Sequence, residues 1–247
     1  LAPFAKRFFK GLPITVKEAN VTYDAFIEGN YIWIASWAGG LRRYNIKLKL
    51  WERVPLPEDS DQILNTCESA SYEDTPDGYI LKDFYLNPRD PWDGSATKNS
   101  DPKTYGNHNH KAFSVHVEDD IIWAGTADGI NKGEISPSGC INWVHYNKEN
   151  TNFGLAGNWV IGIHAQYFEN HTRIWAISWD GNNTTPHYLS YTDDEGATWN
   201  KDNGLRQGIG AVTYNLYSII DNDLGLFYEN RLYAATTKGL FEKDIIM

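Results

Sequence analysis

Four stretches of the chain share one pattern: a polar turn, an aliphatic residue, an aromatic ring, a run of small residues and a glycine. They run from Asn30 to Leu41 (N-Y-I-W-I-A-S-W-A-G-G-L), Asp119 to Ile130 (D-D-I-I-W-A-G-T-A-D-G-I), Thr172 to Gly181 (T-R-I-W-A-I-S-W-D-G) and Asn230 to Leu240 (N-R-L-Y-A-A-T-T-K-G-L). With Trp33, Trp123, Trp175 and Tyr233 aligned, a glycine falls six positions later in every copy, at Gly39, Gly129, Gly181 and Gly239. Such a unit reads as the second strand of a small antiparallel sheet running into the turn that starts the third. The aligned rings lie 90, 52 and 58 positions apart.

Repeats of about 50 residues built from short strands cannot bury both faces alone and must stack on their neighbours. The expected fold is therefore all-β, a β-propeller of at least four blades with four antiparallel strands each. Composition agrees: aromatics make up 14% of the 247 residues, with ten Trp and fifteen Tyr, which suits half-buried pleated surfaces. Residues 1–55 hold a lead-in and the first blade, with strands expected at Tyr23 to Ile27, Tyr31 to Trp37, Leu41 to Tyr44 and Lys49 to Val54. Residues 113–150 form the second blade, 151–202 the third, and 203–247 a fourth that lacks a closing strand. The short fourth blade leaves two readings, that the N-terminal residues complete the ring or that the chain is a piece of a larger propeller, and the start at Leu1 suggests a mature form or a piece of a longer chain.

Residues 56–112 interrupt the repeats. They carry eleven Asp or Glu against five Lys or Arg, with prolines at 57, 76, 88, 91 and 102. This composition predicts an acidic surface insertion outside the blades, with one short strand at Tyr79 to Leu86, the alternative being a degenerate extra blade. Its Tyr72, Tyr79, Phe84, Tyr85 and Trp92 are candidate interface residues, because aromatic rings dominate binding hot spots. Trp37 and Trp179, each four positions after its blade's first Trp, could stack on a sugar ring or a protein partner, or belong to the core between blades.

At Thr192 to Trp199 the sequence T-D-D-E-G-A-T-W fits the Asp-box pattern through Thr192, Asp194, Gly196, Thr198 and Trp199. Asp194 can accept from turn amides, Gly196 permits a positive φ and Trp199 can bury its ring between blades. On this motif the chain resembles the Asp-box and YVTN/BNR-like propellers, which include sialidases, sortilin-type receptors and photosystem-assembly factors. The stretches W-A-G-T-A-D-G-I and A-A-T-T-K-G-L-F also resemble propeller repeats of bacterial two-component sensor ectodomains. The resemblance covers residues 23–55 and 113–246 and implies a fold rather than a reaction, since Asp boxes lie at the blade periphery. A sialidase would imply an arginine triad. The eight arginines, at 7, 42, 43, 53, 89, 173, 206 and 231, show no Arg-Ile-Pro motif, and no carboxylate pair stands out by spacing.

Two metal readings arise. His108 and His110 would share one side of a strand, or belong to a polar loop. Asp221 and Asp223 with Gly225 imitate the opening of a calcium loop without its distal Glu, or form a plain turn. No cofactor is expected apart from that possible calcium. Cys67 and Cys140 fit one disulfide or two unrelated thiols. Asn20, Asn170, Asn182 and Asn183 head glycosylation sequons. The net charge of -10 argues against nucleic acid and anionic membranes as partners, and no apolar run is long enough to insert in a bilayer. The reading is a non-catalytic, extracellular, cell-surface or periplasmic module that binds a protein partner within a larger assembly. A glycan-binding or glycan-hydrolysing propeller is the alternative.

Overall fold

Along each repeat the side chains alternate between two faces, and between neighbouring blades the facing sides cover one another. The computed structural model describes residues 21–37, 39–69, 72–75, 78–81, 108–179, 188–209, 216–221 and 231–244. Strands β1 (Thr22–Glu28), β2 (Tyr31–Ser36), β3 (Gly40–Asn45) and β4 (Leu50–Val54) form an antiparallel sheet in chain order. After it come β5 (Ile63–Asn65), a single helical turn α1 (Thr66–Ser69) and a separate hairpin of β6 (Tyr72–Thr75) and β7 (Gly78–Leu81). The second blade is β8 (Ala112–Glu118), β9 (Ile121–Thr126), β10 (Gly129–Ile135) and β11 (Ile141–Tyr146). The third is β12 (Trp159–Tyr167), β13 (Thr172–Trp179), β14 (Tyr188–Thr192) and β15 (Asn200–Asp202). A short helix α2 (Gly204–Ile209) leads to β16 (Leu216–Asp221), β17 (Arg231–Thr236) and β18 (Gly239–Asp244), a three-stranded sheet among the described residues.

The repeated aromatic residue explains why these sheets stack. Trp33 lies in the core between the first and second blades, Trp123 between the second and third, and Trp175 between the third and fourth. Burial of one indole removes on the order of 200 Å² from water, about 5 kcal/mol at 25 cal/mol per Å². The innermost strands β1, β8, β12 and β16 pack successively against one another. Consecutive antiparallel sheets joined through shared aromatic layers are the blades of a β-propeller. No helix among the described residues is long and apolar enough to cross a membrane.

In the second and fourth blades the turn after the second strand is closed by a threonine hydroxyl three residues after the aligned ring, which accepts from the amide two residues on. In the fourth blade Thr236 Oγ1 donates to the carbonyl of Gly239 (3.0 Å) and accepts from Lys238 N (3.0 Å). The glycine opening the third strand has φ of 131° at Gly129 and 121° at Gly239, values that L side chains rarely adopt. In the first blade that role falls to Gly40, opposite Ser36 in the register, and not to Gly39. The alignment slips because this turn is one residue longer.

The segment 56–112 does not lie wholly outside the blades. Ile63–Asn65 pairs with Val144 to Asn142 on β11 and makes the second blade five-stranded. Cys67 and Cys140 are joined by a disulfide next to that strand. At the other end Asn109, His110 and Lys111 are buried. The expected strand at Tyr79 to Leu86 begins one residue earlier, and within the described residues it ends at Leu81.

In the turn between β14 and β15, Asp194 Oδ1 accepts from the Thr192 hydroxyl (2.8 Å) and from Thr198 N (2.8 Å), while Oδ2 accepts from the Thr198 hydroxyl (2.6 Å). Gly196 has φ of 94°, and a Cβ there would come within 2.7 Å of the Tyr146 ring. Trp199 packs back onto Trp123 and Tyr146, with ring centroids 6.1 and 6.0 Å away. Asp194→Ala is expected to lower stability by about 1 kcal/mol, the worth of solvent-exposed turn hydrogen bonds, with Asp194→Asn losing less. A thermal unfolding midpoint unchanged by the alanine would show that this carboxylate does not organise the turn.

Candidate functional site

Antiparallel strands in each blade place two kinds of connection on one face: the turns between second and third strands, and the segments that enter each inner strand. The inner strand of every blade carries a register shift near its start, between Thr22 and Asp24, Ala112 and Ser114, Val160 and Gly162, and Leu216 and Ser218. Three of these bulges fall on an aromatic residue, at Tyr23, Phe113 and Tyr217. A bulge bends its strand and re-aims a side chain.

The result is an aromatic cluster. Phe113 lies 5.4 Å from Tyr23, 5.4 Å from Trp37 and 6.1 Å from Trp159, and Trp37 lies 6.2 Å from Trp159, all between ring centroids. The Lys111 ammonium sits 4.9 Å over the Trp37 ring. Trp37 thus joins a half-buried group supplied by three blades. Trp179 is also half-buried and stands opposite Trp159 in the β12–β13 register.

Beside Trp159 opens a cavity of about 340 Å³, lined further by His108, Ala127, Asp128, Lys148, Glu149 and Asn158. Its walls are held by hydrogen bonds. Asp59 accepts from His108 N (3.0 Å) and Asn109 N (2.8 Å). Asn109 pairs with Asn131 through both amide groups (2.9 and 2.8 Å) and accepts from the Thr126 hydroxyl (2.7 Å), which accepts in turn from Asp128 N (3.1 Å). On the other wall Asn158 accepts from Lys148 N (2.8 Å) and donates to Glu149 (3.2 Å). Such networks hold the lining residues in fixed positions.

Charge in the cavity is unbalanced toward negative. Burial, then Asp59 and Glu149, push the Asp128 carboxyl up to about 7. The buried His145 imidazole lies 3.6 Å from that carboxyl, with ring nitrogens 2.9 Å from the Asp128 carbonyl and 3.3 Å from that of Asp61. Burial pulls His145 below the usual imidazole range.

The metal readings take another form. His108 and His110 lie on a 3₁₀ turn (His108–His110), not a strand, with His110 buried and His108 on the cavity wall. Asp221 ends β16, and Asp223 lies outside the described residues. Among the described residues no three His, Cys, Asp or Glu side chains gather to hold an ion. Tyr72 and Tyr79 fall on the β6–β7 hairpin, while Phe84, Tyr85 and Trp92 lie outside the described residues. Phe113, Trp159, Asp128 and Glu149 were absent from the sequence reading. An aromatic residue at or near the start of each inner strand was the signal that could have found the first two.

No family model and no curated protein matches the chain. Among solved structures, it is similar to the extracellular domain of a hybrid two-component system from B. thetaiotaomicron, at 15% identity over 90% of this chain and 22% of that one, with a TM-score of 0.49. A computationally designed protein, Ika4, is similar at 10% identity over 96% of this chain and 99% of its own, with a TM-score of 0.42. The extracellular domain of a one-component system from B. thetaiotaomicron is similar at 17% identity over 90% of this chain and 26% of that one, with a TM-score of 0.35. The chain spans about a fifth of the length of the first of these, by the 22% coverage.

Proposed function

We propose that this propeller is a non-catalytic, extracytoplasmic interaction module that binds a protein partner within a larger surface-associated or multisubunit assembly. The observation carrying this reading is the aromatic cluster of Trp37, Phe113 and Trp159 held beside an open cavity on one face. Rigid, half-exposed indoles flanked by polar groups are the chemistry of binding hot spots. The Cys67–Cys140 disulfide supports an oxidising compartment.

Affinity capture from the extracytoplasmic fraction of the source tests the reading. Wild-type protein is expected to retain a partner that Trp159→Ala loses at least tenfold, while Leu48→Ser, on the opposite face, retains it. Equal capture by all three would overturn the choice of face. A glycan array run in parallel decides the alternative: saturable glycan binding lost with Trp159→Ala would replace a protein ligand by a carbohydrate, and cleavage of a chromogenic glycan would make the chain an enzyme.

A further inference from the structure

The cavity beside Trp159 is more specific than a contact face needs to be. Asp128 from the β9–β10 turn and Glu149 from the loop after β11 both line it. Asp59, tied to the 3₁₀ turn through both oxygens, adds its charge from a third segment. The Asp128 side chain is only 19% exposed, so water shields this concentration of negative charge poorly. Lys148 is the one lysine or arginine in the lining. The groups around Asp128 that titrate or carry charge are Asp59, His108, His145, Lys148 and Glu149. Desolvation and the two carboxylates push Asp128 up to about 7.

A ligand that relieves this arrangement carries positive charge. An anion would meet the Asp128 and Glu149 carboxylates against one ammonium, and a neutral polyol would leave the repulsion in place. The indole of Trp159 supplies the complementary wall, since a ring face attracts a cation electrostatically and covers an alkyl stem. The same face already uses that contact internally, where the Lys111 ammonium lies over Trp37. Phe113 and Trp37 pack against the Trp159 ring, with centroids 6.1 and 6.2 Å away.

We propose that this cavity binds an organic ammonium group, with the cation between Asp128 and Glu149 and its alkyl stem against Trp159. The group belongs to a free alkylamine or to a lysine side chain of a partner protein. The inference rests on the reading of this face as the binding face and names the chemistry it selects.

Isothermal titration calorimetry on the full chain at pH 8 tests it with n-butylamine, n-butanol and a five-residue peptide with a central lysine. The butylammonium ion is expected to bind saturably and butanol not at all. Affinity should fall up to tenfold per pH unit below about pH 7, as Asp128 takes a proton. Asp128→Asn should weaken binding at pH 8 at least tenfold and flatten the pH dependence, and Trp159→Ala should weaken it while Trp159→Phe retains part. Thermal unfolding of each variant establishes that it is folded. A peptide at least tenfold tighter than butylamine assigns the site to a partner's lysine, and the reverse order to a free amine. No saturable binding of either ammonium probe, equal binding of butanol, or an unchanged Asp128→Asn overturns the proposal. If the probes fail while Trp159→Ala still loses the captured partner, this inference falls and the proposed function stands.

Discussion

Acidification from pH 7 to pH 4 is expected to remove a few kcal/mol of folding free energy. Burial lowers His110 to about 4, and burial together with the neighbouring His164 lowers His116 to about 4. A base whose folded pKa lies below its unfolded value of 6.5 leaves the unfolded chain to bind protons first. Its contribution is complete above about pH 6.5 and is lost as the pH falls toward 4. Each such group changes stability by up to about 1.4 kcal/mol per pH unit. Asp128 works in the opposite sense: with its carboxyl raised to about 7, the native state holds a proton that the unfolded chain releases. That group therefore gains stability as the pH falls from about 7 toward 4. Two lowered histidines, joined by His145 in the same direction, outweigh one raised carboxyl. Urea unfolding at half-unit pH intervals measures the slope. Asp128→Asn should steepen the acid loss and raise stability at pH 8 by on the order of 2 kcal/mol. A wild-type curve that is flat or rises toward pH 4 would mean that these histidines are not held neutral by the fold.

Breaking the disulfide is expected to cost about as much as the acid does. Cys67 and Cys140 are 73 positions apart, and releasing a closed loop of that length returns about 4 kcal/mol of chain entropy to the unfolded state. For a chain of this size that is a fall of roughly 8–12 °C in the unfolding midpoint. The local effect is sharper still. Strand β5 has three residues, with Ile63 mostly exposed at 74%, so little apolar burial holds it once the bond is gone. Cys67→Ser with Cys140→Ser should therefore speed hydrogen exchange at Ile63–Asn65 more than at Ile141–Tyr146. A midpoint unmoved by reductant would locate the stability of this edge elsewhere.

The blades were legible because one aromatic ring per repeat, a buried indole in three blades and Tyr233 in the fourth, sits at a fixed distance from a turn, so the second strands announced themselves. Finer features were hidden for physical reasons. The extra residue before Gly40 leaves the Trp-to-glycine spacing intact through its neighbour Gly39. A three-residue strand such as Ile63–Asn65 is too short to show a period. The site was hidden more deeply: Asp128 reads as an ordinary turn residue, and its character comes from burial and then from Asp59 and Glu149, which are remote in sequence. Asn109 likewise reads as loop, yet it forms buried pairs with Asn131 and Thr126. Trp37 was legible as a surface candidate because its strand position is periodic, while its companions Phe113 and Trp159 show only as aromatic residues at the start of inner strands, and their meeting across three blades is set by tertiary packing.

Both ends of the acidic insertion are fastened to the same blade, by β5 and the disulfide on one side and by the Asn109 network on the other. Entry and exit points are thereby fixed independently of the sequence between them. Doubling the length of such an excursion costs only about 0.6 kcal/mol. A change in the length of chain between these anchors is therefore expected to cost the propeller little, provided that the β6–β7 hairpin keeps its packing on β4.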